Sequence, residues 1–131
     1  MKTVRVKVKN LKGIALDWAV AKCEGLPIVL NPMGFDDSVQ QSGYWVWYDG
    51  LGQAPSQMIG VDYSPSKISL EGAVIMEREK INIEYDGDDV LASDGMSIHM
   101  YGSSSFVAAM RVYVCTKMGA EIDVPAKMMK K

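Results

Sequence analysis

Residues 101–125 read Tyr-Gly-Ser-Ser-Ser-Phe-Val-Ala-Ala-Met-Arg-Val-Tyr-Val-Cys-Thr-Lys-Met-Gly-Ala-Glu-Ile-Asp-Val-Pro. Within them Phe106, Ala109, Met110, Tyr113 and Val114 recur at the three-and-four spacing of one helical face, which predicts a helix over 106–118. Ser103, Ser104 or Ser105 can cap its start, and Gly119 suits the left-handed backbone just past its end. Ile122 and Val124 then alternate with Glu121 and Asp123, the period of a half-buried strand, which Pro125 stops.

The opposite end of the chain supplies a match for that strand. Val4, Val6 and Val8 alternate with Arg5, Lys7 and Lys9, so a strand with one buried face is expected. Pairing it with the strand at 121–125 sets its basic face against Glu121 and Asp123. After a turn at Asn10 to Gly13, a helix is predicted from Ile14 to Cys23. Ala15, Trp18, Ala19 and Lys22 lie along its stripe, and Gly25 and Pro27 end it.

Short strands are expected at Ile28 to Leu30, Tyr44 to Tyr48, Met58 to Val61, Ala73 to Met76, Lys80 to Tyr85 and Gly95 to Tyr101. Asn31 to Gly43 reads as a loop, with turns at Asp49-Gly50 and at Asp86 to Asp89. Pro65 biases Ser64 away from helix, so Tyr63 to Lys67 is a turn or extended corner. The sum is an α+β fold: one domain over 1–131, with a mainly antiparallel sheet of about six short strands and two helices.

A chain of 131 residues, 48% hydrophobic and 23% charged, fits one ordinary globular domain. No apolar run approaches the roughly 20 residues of a membrane helix, and the N-terminus lacks a signal-peptide core. No membrane association and a cytoplasmic location are expected. Cys23 and Cys115 fall in predicted helices, where a free thiol behaves as a small hydrophobe. Net charge is −2, but eight of the 14 basic residues lie in the first 12 and last five positions, and all 16 acidic residues lie between them. Such an acidic body argues against wrapping nucleic acid.

Three groups of residues carry a family resemblance. They are Leu16-Asp17-Trp18-Ala19-Val20-Ala21; Tyr63-Ser64-Pro65-Ser66 with Ile75-Met76-Glu77-Arg78-Glu79; and Ala108-Ala109-Met110-Arg111-Val112-Tyr113-Val114 with Gly119 and Val124-Pro125. In order and extent these resemble the NinX-like family of small proteins of tailed bacteriophages and prophages. The chain departs from that pattern at Lys67 to Gly72 and at Ser103 to Ser105. The resemblance implies a phage setting, in the cytoplasm of an infected or lysogenic bacterium. It implies little chemistry, because the family has no settled biochemical function.

Catalytic and metal signatures are weak. His99 is the single histidine, and in a strand it points opposite Ile98 and Met100, the place of a surface residue. Zinc spacing is missing. Asp86, Asp88 and Asp89 lack the remaining ligands of a calcium loop and read as a solvated turn. No cofactor is expected.

The sharper possibility is an anion site at Gly102, Ser103, Ser104 and Ser105. There the unpaired amides of a helix start meet three hydroxyls, and Gly102 lets a ligand approach the backbone. Arg111, two turns on, reaches a phosphate only on an extended ligand or one shared with another subunit. Trp45, Trp47 or Tyr63 would supply a stacking surface, and Ser64 and Ser66 share the Tyr63 corner. The alternative is plain capping, with Arg111 paired to the acidic body.

Three functions follow in order. First is a non-enzymatic phage accessory protein that binds and sequesters a small phosphorylated, nucleotide-like ligand, such as a nucleotide signal of host anti-phage defence. The apolar Tyr44 to Tyr48 stretch suggests that it is a homo-oligomer. Second is an inhibitor or regulator that binds a host protein through acidic surfaces. Third is a nucleotide-processing enzyme using Glu77, Glu79 or His99 as base.

Overall fold

The computed structural model describes residues 2–30, 44–47 and 56–129. The expected loop at Asn31 to Gly43, the residue Tyr48 and the turn at Asp49-Gly50 lie outside the described residues. The chain runs β1 (Thr3–Lys7), α1 (Gly13–Cys23), β2 (Ile28–Leu30), β3 (Tyr44–Val46), β4 (Gln57–Met58), α2 (Leu70–Arg78), β5 (Asn82–Asp86), β6 (Asp89–Ser93), β7 (His99–Gly102), α3 (Ser105–Met118) and β8 (Glu121–Pro125). Short 3-10 turns follow β1, at Val8–Asn10, and β8, at Ala126–Met129.

The α+β class holds, but the described residues form three helices and eight strands rather than two and six. The strands make three small antiparallel sheets, β1-β8, β2-β3-β4 and β5-β6-β7, in place of one larger sheet. The division has a physical cause in α3. Ala108, Ala109, Met110, Val112, Tyr113 and Val114 are all buried, so apolar surface covers more of the helix than the single stripe anticipated. A helix that is apolar around its circumference must be enclosed. Strands β5, β6, β7 and β8 and the helices α1 and α2 all pack on it.

Local sequence explains the ends of α3. Ser104 takes the cap, its Oγ accepting a hydrogen bond from the Val107 amide at 3.2 Å, and Gly119 follows the last turn with φ +98°. Helix α1 is also enclosed, since every residue from Ala15 to Ala21 is buried. Lys22, placed on the apolar stripe in the sequence reading, is exposed, with its ammonium 5.4 Å from the centre of the Trp18 ring.

Strand β1 pairs with β8 as anticipated, with Arg5 opposite Asp123 and Lys7 opposite Glu121. Arg5 spans Glu121 at 3.5 Å and Asp123 at 3.4 Å. Such exposed pairs contribute only about 0–1 kcal/mol each, so they select the pairing more than they stabilise it. The firmer contribution is burial of Ile122 and Val124 on the inner face.

The clearest departure is at Ala73 to Met76, which is not a strand but the middle of α2. A short apolar run does not separate strand from buried helix. The deciding feature is Ser69, whose Oγ accepts from the Gly72 amide at 3.1 Å and nucleates the helix. Smaller differences lie in the strands. Val8 leaves β1 for a 3-10 turn, and β4 stops at Met58 because the amides of Val61, Asp62 and Tyr63 all turn back onto the Met58 carbonyl. The start of the expected Gly95 strand is a turn, in which Asp94 Oδ1 accepts from the amides of Met96 and Ile98.

Tyr44 and Val46 face the core, while Trp45 is half-buried on the other side of β3. Tyr44 and Val46 of that aromatic stretch are therefore spent on the chain's own interior.

Gly102 marks where β7 crosses α3. A Cβ there would lie 2.5 Å from the Ala108 amide nitrogen and 2.9 Å from its Cα. The space the sequence reading gave to a ligand is filled by the helix. Gly102→Ala is expected to destabilise the fold by about 1–3 kcal/mol in urea denaturation, and an unchanged midpoint would refute the close crossing.

Candidate functional site

Two helix starts differ in how their amides are satisfied. At α3, Ser104 provides a side-chain cap. At α1 the cap position is Lys12, whose side chain makes no capping hydrogen bond, and no acidic residue occupies the first turn. Gly13 enters the helix with φ +58°, and a Cβ there would meet nothing within 4 Å. The α1 start therefore carries the positive end of its peptide dipoles with neither a capping side chain nor an acidic residue in its first turn to neutralise it.

A cleft of about 580 Å³ opens at this point, a volume suited to a small ligand. Asn10, Lys12 and Gly13 form one side, and Ser66 and Lys67 come from the corner ahead of α2. Ser103 comes from the β7–α3 junction, and Ile14, Val107, Met128 and Met129 supply an apolar wall. Among the described residues two lysines line the cleft, and no carboxylate does.

Behind it lies Asp17, with no solvent exposure. Its Oδ1 accepts from the Ser66 amide at 2.9 Å, while Oδ2 has no hydrogen-bond partner among the described residues. Burial raises its pKa from 3.8 to about 6, against the opposing pull of the Ser66 hydrogen bonds. The corner is tied on its other side too. The Ser64 amide donates to Glu71 Oε2 at 3.2 Å, and the Ser64 hydroxyl donates to the Val61 carbonyl at 3.1 Å.

The residues named from sequence are thus divided. Ser66 and Ser103 meet in the cleft. Ser104 is engaged as the α3 cap, Ser105 begins that helix, and Gly102 is packed beneath it. Tyr63 and Ser64 are buried, and Tyr63 lines a separate cleft beside α2. Trp45 and Trp47 contact each other edge to face at 5.9 Å and do not line the cleft.

Arg111 is bound to backbone, its Nε donating to the Leu11 carbonyl at 2.8 Å and its Nη1 to the Tyr101 carbonyl at 2.6 Å. It positions the segment entering α1 against the segment entering α3. Lys12, Gly13, Lys67 and Asn10 were missed in the sequence reading. The available signal was a helix start with no Ser, Thr, Asp or Asn at the cap, preceded by Lys12.

His99 is exposed in β7, and among the described residues no group of three or more His, Cys, Asp or Glu could hold a metal ion. Cys23 and Cys115 are free thiols. Among the described residues, no helix is long and apolar enough to cross a membrane.

The three groups that carried the resemblance meet here. Asp17 of the first bonds Ser66 of the second, and Arg111 of the third holds Leu11 just ahead of α1. The profile of the family described as Bacteriophage P22, NinX matches residues 7–117. The chain belongs to this phage NinX family. The matched NinX stretch includes Lys12, Gly13, Asp17, Ser66, Lys67, Ser103 and Arg111, and leaves out the Met128 and Met129 wall. No curated protein matches the chain.

Because the folded-state pKa of Asp17 lies above its unfolded value, its neutral form favours the fold at low pH. That contribution, roughly 2–3 kcal/mol, is lost as pH rises from about 4 through about 6. Asp17→Asn cannot ionise, so its stability relative to the parent should climb across that interval. Urea midpoints measured from pH 4 to 7 test this, and parallel curves would remove Asp17 from the pH response.

Proposed function

We propose that this chain is a phage accessory protein that binds and sequesters a small phosphorylated ligand without turning it over. The ligand we favour is nucleotide-like, such as a nucleotide signal of host anti-phage defence. The observation that carries the reading is the cleft at the α1 start, lined among the described residues by two lysines and no carboxylate in a chain of net charge −2. A phosphate there gains from the uncapped amides and dipole of α1, and from Lys12 and Lys67 at its rim. Ser103 offers a hydroxyl donor to its remaining oxygens, while Ser66, buried and bonded to Asp17, shapes the wall. The wall of Ile14, Val107, Met128 and Met129 suits a base or another apolar body, since thioethers adapt to varied shapes.

Phage family membership supports the phage setting, and binding without turnover needs no base or metal at the site. Lys67 must turn to serve the ligand, because its Nζ now donates to the Gly60 carbonyl at 3.3 Å. That bond is long enough to exchange at small cost.

The test is calorimetric titration of the purified protein with inorganic phosphate, linear and cyclic nucleotides and ADP-ribose, using unphosphorylated nucleosides as controls. At least one phosphorylated compound should bind and be recovered intact, while its nucleoside does not. Lys12→Ala and Lys67→Ala should each weaken it about tenfold, near 1.4 kcal/mol. Binding unaffected by the double substitution, or none across the panel, would overturn the reading. Recovery of a cleaved product would replace sequestration with catalysis.

A further inference from the structure

The α2 side of the molecule carries a surface that the phosphate cleft does not use. Ile68 is 91% exposed, Leu70 79% and Val74 51%, large values for aliphatic side chains this close together in sequence. Leu70 and Val74 are one helical turn apart on α2, so they share a face. Next to them a smaller cleft of about 340 Å³ lies between α2 and the end of α1, with Leu26 and the Tyr63 ring on its walls. Among the described residues two carboxylates, Glu24 and Glu71, line it, and no cation does.

Both carboxylates are held in place before any partner arrives. Glu24 accepts from Arg78 Nη1 at 3.1 Å and Nη2 at 2.5 Å, and from the Tyr113 hydroxyl. These contacts hold its pKa below the ordinary carboxylate value, with the Arg78 hydrogen bond the largest cause. Glu71 Oε2 accepts from the Ser64 amide, and among the described residues Glu71 has no ion pair. Nearby, Arg78 is already engaged by Glu24 and Glu79, and Glu77 adds another exposed acid on α2. The surface is thus an apolar face edged by Glu71 and Glu77, neither of which has an ion pair among the described residues, while Glu24 is already matched by Arg78.

We infer that this face docks a basic amphipathic helix of another protein. An arginine or lysine of that helix fits the cleft beside Glu71 because its methylene stem matches Leu26, Leu70 and Val74 and its charged head matches the Glu71 carboxylate. Apolar residues one helical turn away on the partner cover Ile68 and the outer side of Leu70. Charge complementarity is what selects this occupant over an apolar or acidic one. A second copy of the chain fits less well. Its own basic stripe lies on strand β1, where Arg5 already spans Glu121 and Asp123. This inference is independent of the phosphate cleft and survives its failure.

A random-peptide library displayed on phage is panned against the purified full chain, and enriched peptides are resynthesised for fluorescence anisotropy. The expected consensus places Arg or Lys beside Leu, Ile or Phe at helical spacing, with affinity that falls as salt rises. The triple variant Ile68→Ser, Leu70→Ser, Val74→Ser should lose binding at least about tenfold. Glu71→Gln, which keeps an acceptor for the Ser64 amide, should lose several-fold and flatten the salt dependence. Thermal unfolding of each variant confirms that the fold persists. No enrichment, an acidic or uncharged consensus, or unchanged binding to the triple variant would overturn the inference. So would light scattering that finds a dimer which the triple variant abolishes, because a second copy would then cover the face.

Discussion

Helix α3 is apolar around most of its circumference, and the fold depends on covering it. Strands β5 to β7 close one part of its surface, while α1, α2 and β8 close others. One larger sheet offers a single face and cannot surround a helix, so small sheets and two further helices divide the task. The tightest point is Gly102 under Ala108, where backbone meets backbone. Once α3 is enclosed, its start lies beside the Ser66 corner and the α1 entry, and Arg111 clasps the Leu11 and Tyr101 carbonyls across that junction. The candidate cleft is therefore a by-product of how the helix is covered.

Its electrostatics follow from the same arrangement. The cleft draws its cations from Lys12 and Lys67, which flank different elements, and the Asp17 carboxylate is sealed behind Ser66 with its pKa raised to about 6. An acidic protein can in this way present a locally positive recess. The negative charge is found elsewhere, beside α2 and along β8.

Legibility in the sequence divides along physical lines. Helix α3, its Ser cap and the β1–β8 pairing were readable, because period and charge alternation are local signals and both strands carry them without ambiguity. Ala73 to Met76 misled, since four apolar residues fit either period and the decision rests with Ser69 and Gly72 outside the run. Of the site, Ser66 and Ser103 were named but for separate reasons, and nothing in their spacing says that they share a cleft. Lys12 read as one more cation in a basic terminus. Its role depends on what is absent from the α1 start, and on Arg111 binding backbone rather than ligand. Such juxtapositions belong to tertiary packing and leave no periodic trace.

The pairing of β1 with β8 has a consequence in time. Every strand partner of β1 among the described residues lies at the far end of the chain, so Thr3 to Lys7 emerges from the ribosome long before Glu121 to Pro125 exists. During that interval β1 has two open edges, and loop closure across nearly the whole domain must precede its pairing. The cations of β1 then serve the nascent chain as well as the native one: Arg5 and Lys7 repel other copies from an unpaired edge. When β8 arrives, Glu121 and Asp123 neutralise the same stripe. A strand guarded by its own charge during synthesis is thereby released from that guard only by its intended partner.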